Sequence, residues 1–124
     1  MEATRFDARV RERDGLAVVD LRGEIDAGAD EALERAYAAA HDGNAAAVLL
    51  NFADVDYINS TGIALIVGLL ARARKDGTRV LSTGLSSHYR EIFEITRLAD
   101  FMELYPDESS AAAAESAADQ GRAG

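Results

Sequence analysis

The pattern of apolar and polar positions at the start of the chain predicts a hairpin. Residues 6–10 alternate apolar with polar side chains, which is typical of a half-buried edge strand. Asp14-Gly15 is a strong signal for a tight hairpin turn, and a second strand is predicted over residues 16–22, ended by Gly23. The first two strands are therefore expected to form an antiparallel pair at one edge of a sheet.

Helices and strands are predicted to alternate along the rest of the chain. Residues 47–52 are nearly continuously apolar, which is typical of a central strand covered on both faces. The other predicted elements are a helix over about residues 29–41 with Asp26 as its cap, a short acidic turn containing Asp54 and Asp56, a helix from Ser60 to about Lys75, a strand over 79–82, a helix from Ser86 or Ser87 through Ile95, and a strand over 101–105. This alternation predicts an α/β fold with a mostly parallel sheet and right-handed crossovers.

The helix that begins at Ser60 carries two sets of apolar residues. A core-facing stripe is predicted from the residues at helical spacing, Ile63, Ile66, Val67 and Leu70. Leu65 and Leu69 lie one turn apart and are rotated away from that stripe. Because one sheet rarely buries a helix on all sides in a chain this small, we expect these two residues to form an exposed patch that contacts a partner.

Three successive capping residues, Asn59, Ser60 and Thr61, precede or begin this helix. They either satisfy free backbone N–H groups or offer a hydroxyl that can be phosphorylated. A helix N-terminus tolerates a phosphate well, because its dipole and its free N–H groups favour negative charge. A phosphate adds about −1.5 to −2 charges, which beside Asp54 and Asp56 would repel an acidic or apolar partner surface. The segment is therefore a candidate switch that works without refolding.

Composition and charge limit the classes of partner. The 124 residues suit one domain, and the absence of cysteine excludes disulfides and thiolate metal sites. The net charge of −9 argues against binding to nucleic acid or to anionic lipid surfaces. Residues 1–14 are charged and do not resemble a signal peptide, and the longest apolar run, residues 63–71, is far shorter than the ~20 residues that span a bilayer. A cytoplasmic protein without membrane insertion is expected.

The acidic charge is partly concentrated at the C-terminal end. Residues 107–124 carry four carboxylates against one arginine, a net charge of −3. Two regions are therefore expected, a domain over residues 1–106 and an acidic, Ala-rich segment over residues 107–124. A short helix is predicted from Asp107, and disorder from Gln120 to the end.

Enzymatic, metal and cofactor chemistry find little support in the sequence. A Gly-x-Ser-x-Gly nucleophile elbow around Ser60 would need glycine where Ile58 stands, and His41 and His88 are both distant from Ser60 in sequence. Asp54 and Asp56 lack the spacing of a calcium loop, and no Gly-rich phosphate loop is present. Neither catalysis, nor a metal, nor a cofactor is expected. An oligomeric scaffold held together by Leu65 and Leu69 remains an alternative.

Three segments together resemble the STAS domain, named for sulfate transporters and anti-sigma factor antagonists. They are residues 23–26 (GEID), 56–63 (DYINSTGI) and 92–98 (IFEITRL), and the resemblance, which covers residues 5–105, is strongest to the bacterial anti-sigma factor antagonists. It implies a small, mostly parallel sheet of four to five strands with an antiparallel edge hairpin, flanked by about four helices.

The resemblance also implies a function based on partner switching. In that family the unphosphorylated antagonist binds an anti-sigma factor, which is a serine kinase, and so frees a sigma factor. The kinase phosphorylates a serine at the start of the second helix, which breaks the complex, and a phosphatase restores it. The phosphorylated position maps onto Ser60, with Thr61 as second choice, while Gly23, Glu24 and Asp26 match a loop that borders the partner surface.

One departure from the family pattern is Asn59, which stands where the family has an aspartate. Asparagine caps a helix equally well but offers no carboxylate. The alternatives are a constitutive antagonist, an antagonist read by a kinase of different specificity, and a non-phosphorylated subunit such as those that regulate ATP-driven lipid transporters. A monomer or weak dimer is expected. The predicted partner-binding residues are Glu24, Asp26, Asp54, Asp56, Asn59, Ser60, Thr61, Gly62, Leu65 and Leu69.

Overall fold

A computed structural model describes residues 5–43 and 45–123, with side chains described as far as residue 117; residues 1–4, Asn44 and Gly124 lie outside this description. One sheet has the strand order β1-β2-β3-β4-β5. The strands are β1 (Asp7–Arg13), β2 (Leu16–Ile25), β3 (Ala47–Ile58), β4 (Arg79–Thr83) and β5 (Glu103–Tyr105). The β1–β2 pair is antiparallel and the other pairs are parallel, which confirms the predicted α/β fold with an edge hairpin.

Four helices connect or follow the strands. They are α1 (Asp30–Asp42), α2 (Ser60–Asp76), α3 (Ser87–Ile95) and α4 (Glu108–Ala123), with 3₁₀ turns at Ala27–Ala29 and Leu98–Phe101. In the described part of the chain, none of these helices is long and apolar enough to cross a membrane.

The sheet is covered on both faces because alternate residues of its central strands point to opposite sides. Helices α1, α2 and α3 pack on one face, where Leu50 and Phe52 of β3 lie in the main core. Helix α4 packs on the other face, where Ala111 and Ala112 cover Leu49 and its neighbours. The prediction of a central strand buried on both sides is confirmed.

Two strands are longer than the sequence predicts. Gly23 does not end β2, which continues to Ile25, and Asp54 and Asp56 lie on β3 rather than in an acidic turn. The β2–β3 register shifts twice, and each shift places one extra residue in β3. Such bulges break the alternation of apolar and polar residues, and so the end of the strand resembles a turn in the sequence. The buried Gly23 adopts a φ of 93°, which suits a bulge.

The C-terminal helix is also longer than predicted, since α4 continues to Ala123 where disorder was expected from Gln120. Alanine has the highest helix propensity, which favours a long helix in this segment. Ion pairs join α4 to the sheet: Glu108 Oε2 accepts from Arg13 Nη1 at 2.7 Å, and Glu115 Oε2 accepts from Arg79 Nη1 at 2.8 Å. Arg11 also donates to Glu108. The acidic residues of this segment therefore hold it against the sheet.

Candidate partner-binding site

Asn59 caps the start of α2. Its Oδ1 accepts a hydrogen bond from the Gly62 N–H at 2.8 Å, and its carbonyl accepts one from the Ile63 N–H at 2.9 Å. The Asn59 N–H donates to the carbonyl of Ile25 at 3.2 Å. Because Asn59 fulfils the capping role, the hydroxyl of Ser60 is not needed for it.

The side chains of Ser60 and Thr61 face solvent on the first turn of α2. Both residues are exposed, and neither hydroxyl takes part in a hydrogen bond with any residue in the described part of the chain. An incoming protein can therefore reach both oxygens without any rearrangement of the fold.

Gly62 brings the start of α2 against the end of β2. A Cβ atom at this position would lie 1.9 Å from the carbonyl oxygen of Ile25, so only glycine fits. Gly62 is itself buried, which corrects its prediction as a contact residue. Gly62 instead allows the first turn of α2 to lie close to the end of β2, which places Ser60 beside that strand end.

Four carboxylates lie on or just after the last five residues of β2 and β3. The parallel register pairs Glu24 with Tyr57 and Ile25 with Ile58, so β2 and β3 end side by side, and α2 follows β3. We call these four carboxylates the acidic rim: Glu24, Asp26, Asp54 and Asp56. Asp54 and Asp56 are exposed, while Glu24 and Asp26 are half-buried. Asp26 caps the 3₁₀ turn before α1, accepting from the Gly28 N–H at 2.9 Å, rather than capping α1 directly.

Comparison with known proteins identifies the family. The family model described as the STAS domain matches residues 7–111. The chain belongs to the STAS domain family. This STAS domain is 30% identical over 104 residues to BtrV of Bordetella bronchiseptica, which is assigned to the anti-sigma factor antagonists; the match covers 84% of this chain and 87% of BtrV.

Solved structures share the fold of this STAS domain. An anti-sigma factor antagonist from Mycobacterium paratuberculosis superposes with a TM-score of 0.70 and 26% sequence identity, over 89% of this chain and 93% of that one. SpoIIAA, a Bacillus cell fate determinant solved in its phosphorylated form, gives a TM-score of 0.63 at 21% identity, over 86% and 96% of the two chains. The predicted family and fold are thereby confirmed.

Tyr89 supports the site from α3, a role that no pattern in the sequence indicates. Its hydroxyl oxygen accepts a hydrogen bond from the Ile58 N–H at 2.9 Å, one residue before the Asn59 cap. Only the folded topology of the STAS domain brings these two residues together, since they are 31 positions apart. Tyr89 thus fixes the last residue of β3 and, through it, the position of the helix start.

Both imidazoles of the domain are engaged away from Ser60. His41 Nδ1 lies 3.1 Å from Thr78 Oγ1, and the ring stacks on Tyr37. The His88 ring packs edge-on against Tyr89 with 4.9 Å between centroids. Within the residues whose side chains are described, neither histidine makes a hydrogen bond to Ser60.

The buried face of α2 differs from the predicted stripe. Leu69 is only 9% exposed and Leu65 is half-buried, whereas Val67 is 45% exposed. The reason is α1, which lies beside α2 and places Leu33 and Tyr37 around the same groove as Leu65 and Leu69. The predicted exposed patch of Leu65 and Leu69 is therefore wrong for Leu69, and the predicted burial of Val67 is wrong.

Proposed function

We propose that this STAS domain is an anti-sigma factor antagonist, which binds an anti-sigma factor through the surface around Ser60 and Thr61 and so releases a sigma factor. The observation that carries the proposal is the exposed hydroxyl of Ser60 on the first turn of α2, with the capping role already filled by Asn59. The names of BtrV and of the Mycobacterium paratuberculosis protein support this role.

The proposed docking surface combines exposed groups with a charged border. Ser60 and Thr61 lie at its centre, and Tyr57, which is 53% exposed, adds aromatic surface of the kind enriched at protein interfaces. The acidic rim surrounds them on the β2–β3 side. Rim charges act mainly on the association rate and on the choice of partner, whereas buried central contacts determine how long a complex lasts.

Regulation is proposed to act on Ser60, with Thr61 as second choice. Phosphorylation by the anti-sigma factor acting as a serine kinase would add about −1.5 to −2 charges at the centre of the docking surface. The α2 N-terminus accommodates that charge within the domain. A docked partner would have to desolvate it, at a large cost in free energy. A serine phosphatase would reverse the change, and the phosphorylated form of SpoIIAA supports such a cycle by analogy.

We expect Asn59 to influence which kinase phosphorylates Ser60, because the two residues are neighbours in the chain. Its amide caps α2 without placing a carboxylate next to Ser60. We propose that the partner kinase recognises this neutral cap together with the acidic rim. A constitutive antagonist, a regulatory subunit of a lipid transporter and an oligomeric scaffold are the competing outcomes.

Affinity capture from the native cytoplasm tests the proposal. The tagged full chain is expected to retain an anti-sigma factor with a kinase fold, and mass spectrometry of residues 57–72 is expected to find phosphate on Ser60. Capture of a membrane transporter ATPase, or of further copies of this chain alone, would contradict the proposed function. Phosphate on Thr61 instead of Ser60 would move the switch by one residue and leave the docking surface unchanged.

A further inference from the structure

A groove between α1 and α2 begins one helical turn beyond the docking surface. We call it the helix groove: it has a volume of about 210 Å³ and is lined by residues within 30–37 of α1 and within 64–72 of α2. Ala64 lies on the same face of α2 as Ser60, because residues four apart on a helix are neighbours on its surface. A protein that contacts Ser60 can therefore extend along α2 into the helix groove.

The floor of the helix groove is apolar, and its volume is small. Leu33 and Leu69 are buried there, and Leu65 is half-buried. Pockets for drug-sized ligands measure about 300–1,000 Å³, so this space suits one or two protruding side chains of a protein better than a ligand of that size. Protein interfaces concentrate their binding free energy in a few side chains that fill such desolvated pockets. The size and the lining therefore favour a protein segment as the occupant.

Gly68 indicates that the helix groove is kept open for something outside the domain. It lies in the interior of α2, where glycine is less favourable than alanine. It is exposed, and a Cβ atom added to it would meet no atom within 4 Å. Gly62 is required by its close contact with Ile25, whereas no contact in the described part of the chain requires glycine at position 68. A partner that packs closely against α2 would account for this glycine.

Two carboxylates border the helix groove on the α1 side. Asp30 and Glu34 line it and are exposed, and neither makes an ion pair or a side-chain hydrogen bond with a residue that the structure describes. The basic residue of the lining is Arg72, whose guanidinium carbon lies 5.0 Å from the centroid of the Tyr37 ring in a cation–π contact. The charge left for a partner is therefore negative, which is complementary to lysine or arginine.

We propose that the helix groove receives an apolar side chain of the anti-sigma factor, and that a lysine or arginine beside this side chain contacts Asp30 and Glu34. The inference rests on the proposed function, and it complements the exposed surface around Ser60 and Thr61 with a buried contact. The partner segment crosses α2 at Gly68, where the absence of a side chain lets it approach closely. Because buried contacts determine how long a complex lasts, the helix groove sets the dissociation rate, while the acidic rim acts on the association rate.

The affinity of the domain for the anti-sigma factor captured with the natural chain, measured by calorimetry, tests the proposal. Gly68→Leu fills the helix groove, so the dissociation constant should rise about tenfold or more. The urea midpoint of unfolding should rise or stay the same, because leucine favours a helix more than glycine does. Ala71→Leu is the matched control, since it adds the same side chain at an exposed position of α2 outside the groove lining. Its affinity should not change.

Two glutamates of α1 test the negative border of the helix groove. Glu34→Gln should weaken binding of the anti-sigma factor about threefold or more, because it removes one of the two carboxylates that face the basic residue. Glu31→Gln removes the same charge from an exposed position of α1 outside the groove lining and should leave the affinity unchanged. Equal effects of the two substitutions would show a general effect of charge and would overturn the proposed contact with a basic residue.

Failure of this proposal and failure of the proposed function give different results. If Ser60→Asp weakens binding while Gly68→Leu binds like the natural chain, the proposal is overturned and the proposed function stands. If the natural chain binds no anti-sigma factor, the proposed function is contradicted and the proposal falls with it. A loss of both affinity and unfolding midpoint in Gly68→Leu would show that the fold requires this glycine, and would also overturn the proposal. Weaker binding with an undiminished midpoint, beside unchanged binding of Ala71→Leu, would support it.

Discussion

Gly62 and Ile25 meet at a distance that no other residue type would allow: a Cβ on Gly62 would lie 1.9 Å from the Ile25 carbonyl oxygen. The same carbonyl accepts a hydrogen bond from the Asn59 N–H at 3.2 Å. These two contacts join the first turn of α2 to the end of β2. They fix where Ser60 lies relative to the end of β2, and the proposed docking surface therefore depends on them.

Two glycines of α2 should respond in opposite ways to the same substitution. Gly62→Ala forces the Cβ into the Ile25 carbonyl and should destabilise the domain by about 3 kcal/mol or more. Gly68→Ala meets no atom within 4 Å and should stabilise it by about 0.5–1 kcal/mol, as expected for an exposed helix-interior glycine. Urea unfolding followed by circular dichroism measures both changes. Equal effects of the two substitutions would show that the close contact at Gly62 is absent.

The capping role of Asn59 predicts a contrast between two replacements. Asn59→Ala removes the acceptor for the Gly62 N–H and should cost about 1 kcal/mol of stability. Asn59→Asp keeps an acceptor and adds a negative charge at the helix N-terminus, so stability should be retained or slightly raised. Thermal unfolding at neutral pH compares the two variants. A loss of stability in Asn59→Asp equal to that in Asn59→Ala would count against the cap.

Removal of the Tyr89 hydroxyl should loosen the connection to α2. Tyr89→Phe leaves the Ile58 N–H without its acceptor, at an expected cost of about 1–3 kcal/mol. Hydrogen exchange at the Ile58 amide should become faster. Tyr57→Phe is the matched control, since Tyr57 is exposed and its change should alter stability by less than about 0.5 kcal/mol. An unchanged hydrogen-exchange rate at the Ile58 amide in Tyr89→Phe would contradict the proposed role of the Tyr89 hydroxyl.

The attachment of α4 should weaken in acid. The hydrogen bond from Arg11 is the main cause that holds the pKa of Glu108 below its usual value of 4.5, and Arg11 likewise holds the pKa of Asp20 below its usual 3.8. A carboxylate whose pKa is lowered in the folded state contributes fully to the stability of the domain when the pH is above its usual pKa. This contribution is lost as the pH falls through the lower folded-state pKa. Stability should therefore decrease below about pH 4.5.

Glu108→Gln tests this dependence. The variant should be less stable than the natural chain at pH 7, and its stability should fall less steeply toward pH 3, because one of the titrating carboxylates is gone. Glu91→Gln, which changes an exposed carboxylate on α3, is the control and should leave the stability at pH 7 unaltered. Parallel profiles for Glu108→Gln and the natural chain would show that the ion pair with Arg11 and Arg13 does not stabilise α4.

The sequence was sufficient to predict the order of elements, because their signals are local. The Asp14-Gly15 turn has positive φ values of 49° and 86°, and Gly77 ends α2 in the left-handed conformation, as such residues favour. The bulges in β3 could not be predicted, since they depend on how β2 pairs beside it. The buried side of α2 could not be predicted either, because it depends on the neighbouring helix α1. This helix covers Leu69 and leaves Val67 exposed.

The candidate sites differ in how far the sequence could predict them. Asn59, Ser60 and Gly62 are neighbours in the chain, and their motif carried the family resemblance. Tyr89 reaches Ile58 from another helix, and the acidic C-terminal segment uses Glu108 and Glu115 to bind arginines on the sheet. Long-range juxtapositions of this kind leave no pattern in the sequence.

The affinity of Ser60 variants for the captured anti-sigma factor tests the docking surface most directly. Ser60→Ala should bind like the natural chain, and Ser60→Asp should bind at least about tenfold more weakly, because it places a charge at the centre of the contact. Ser109→Asp is the matched control: Ser109 is also an exposed serine in the first turn of a helix, but α4 packs on the opposite face of the sheet. Equal affinity of Ser60→Ala and Ser60→Asp, measured by calorimetry, would contradict a switch at this position.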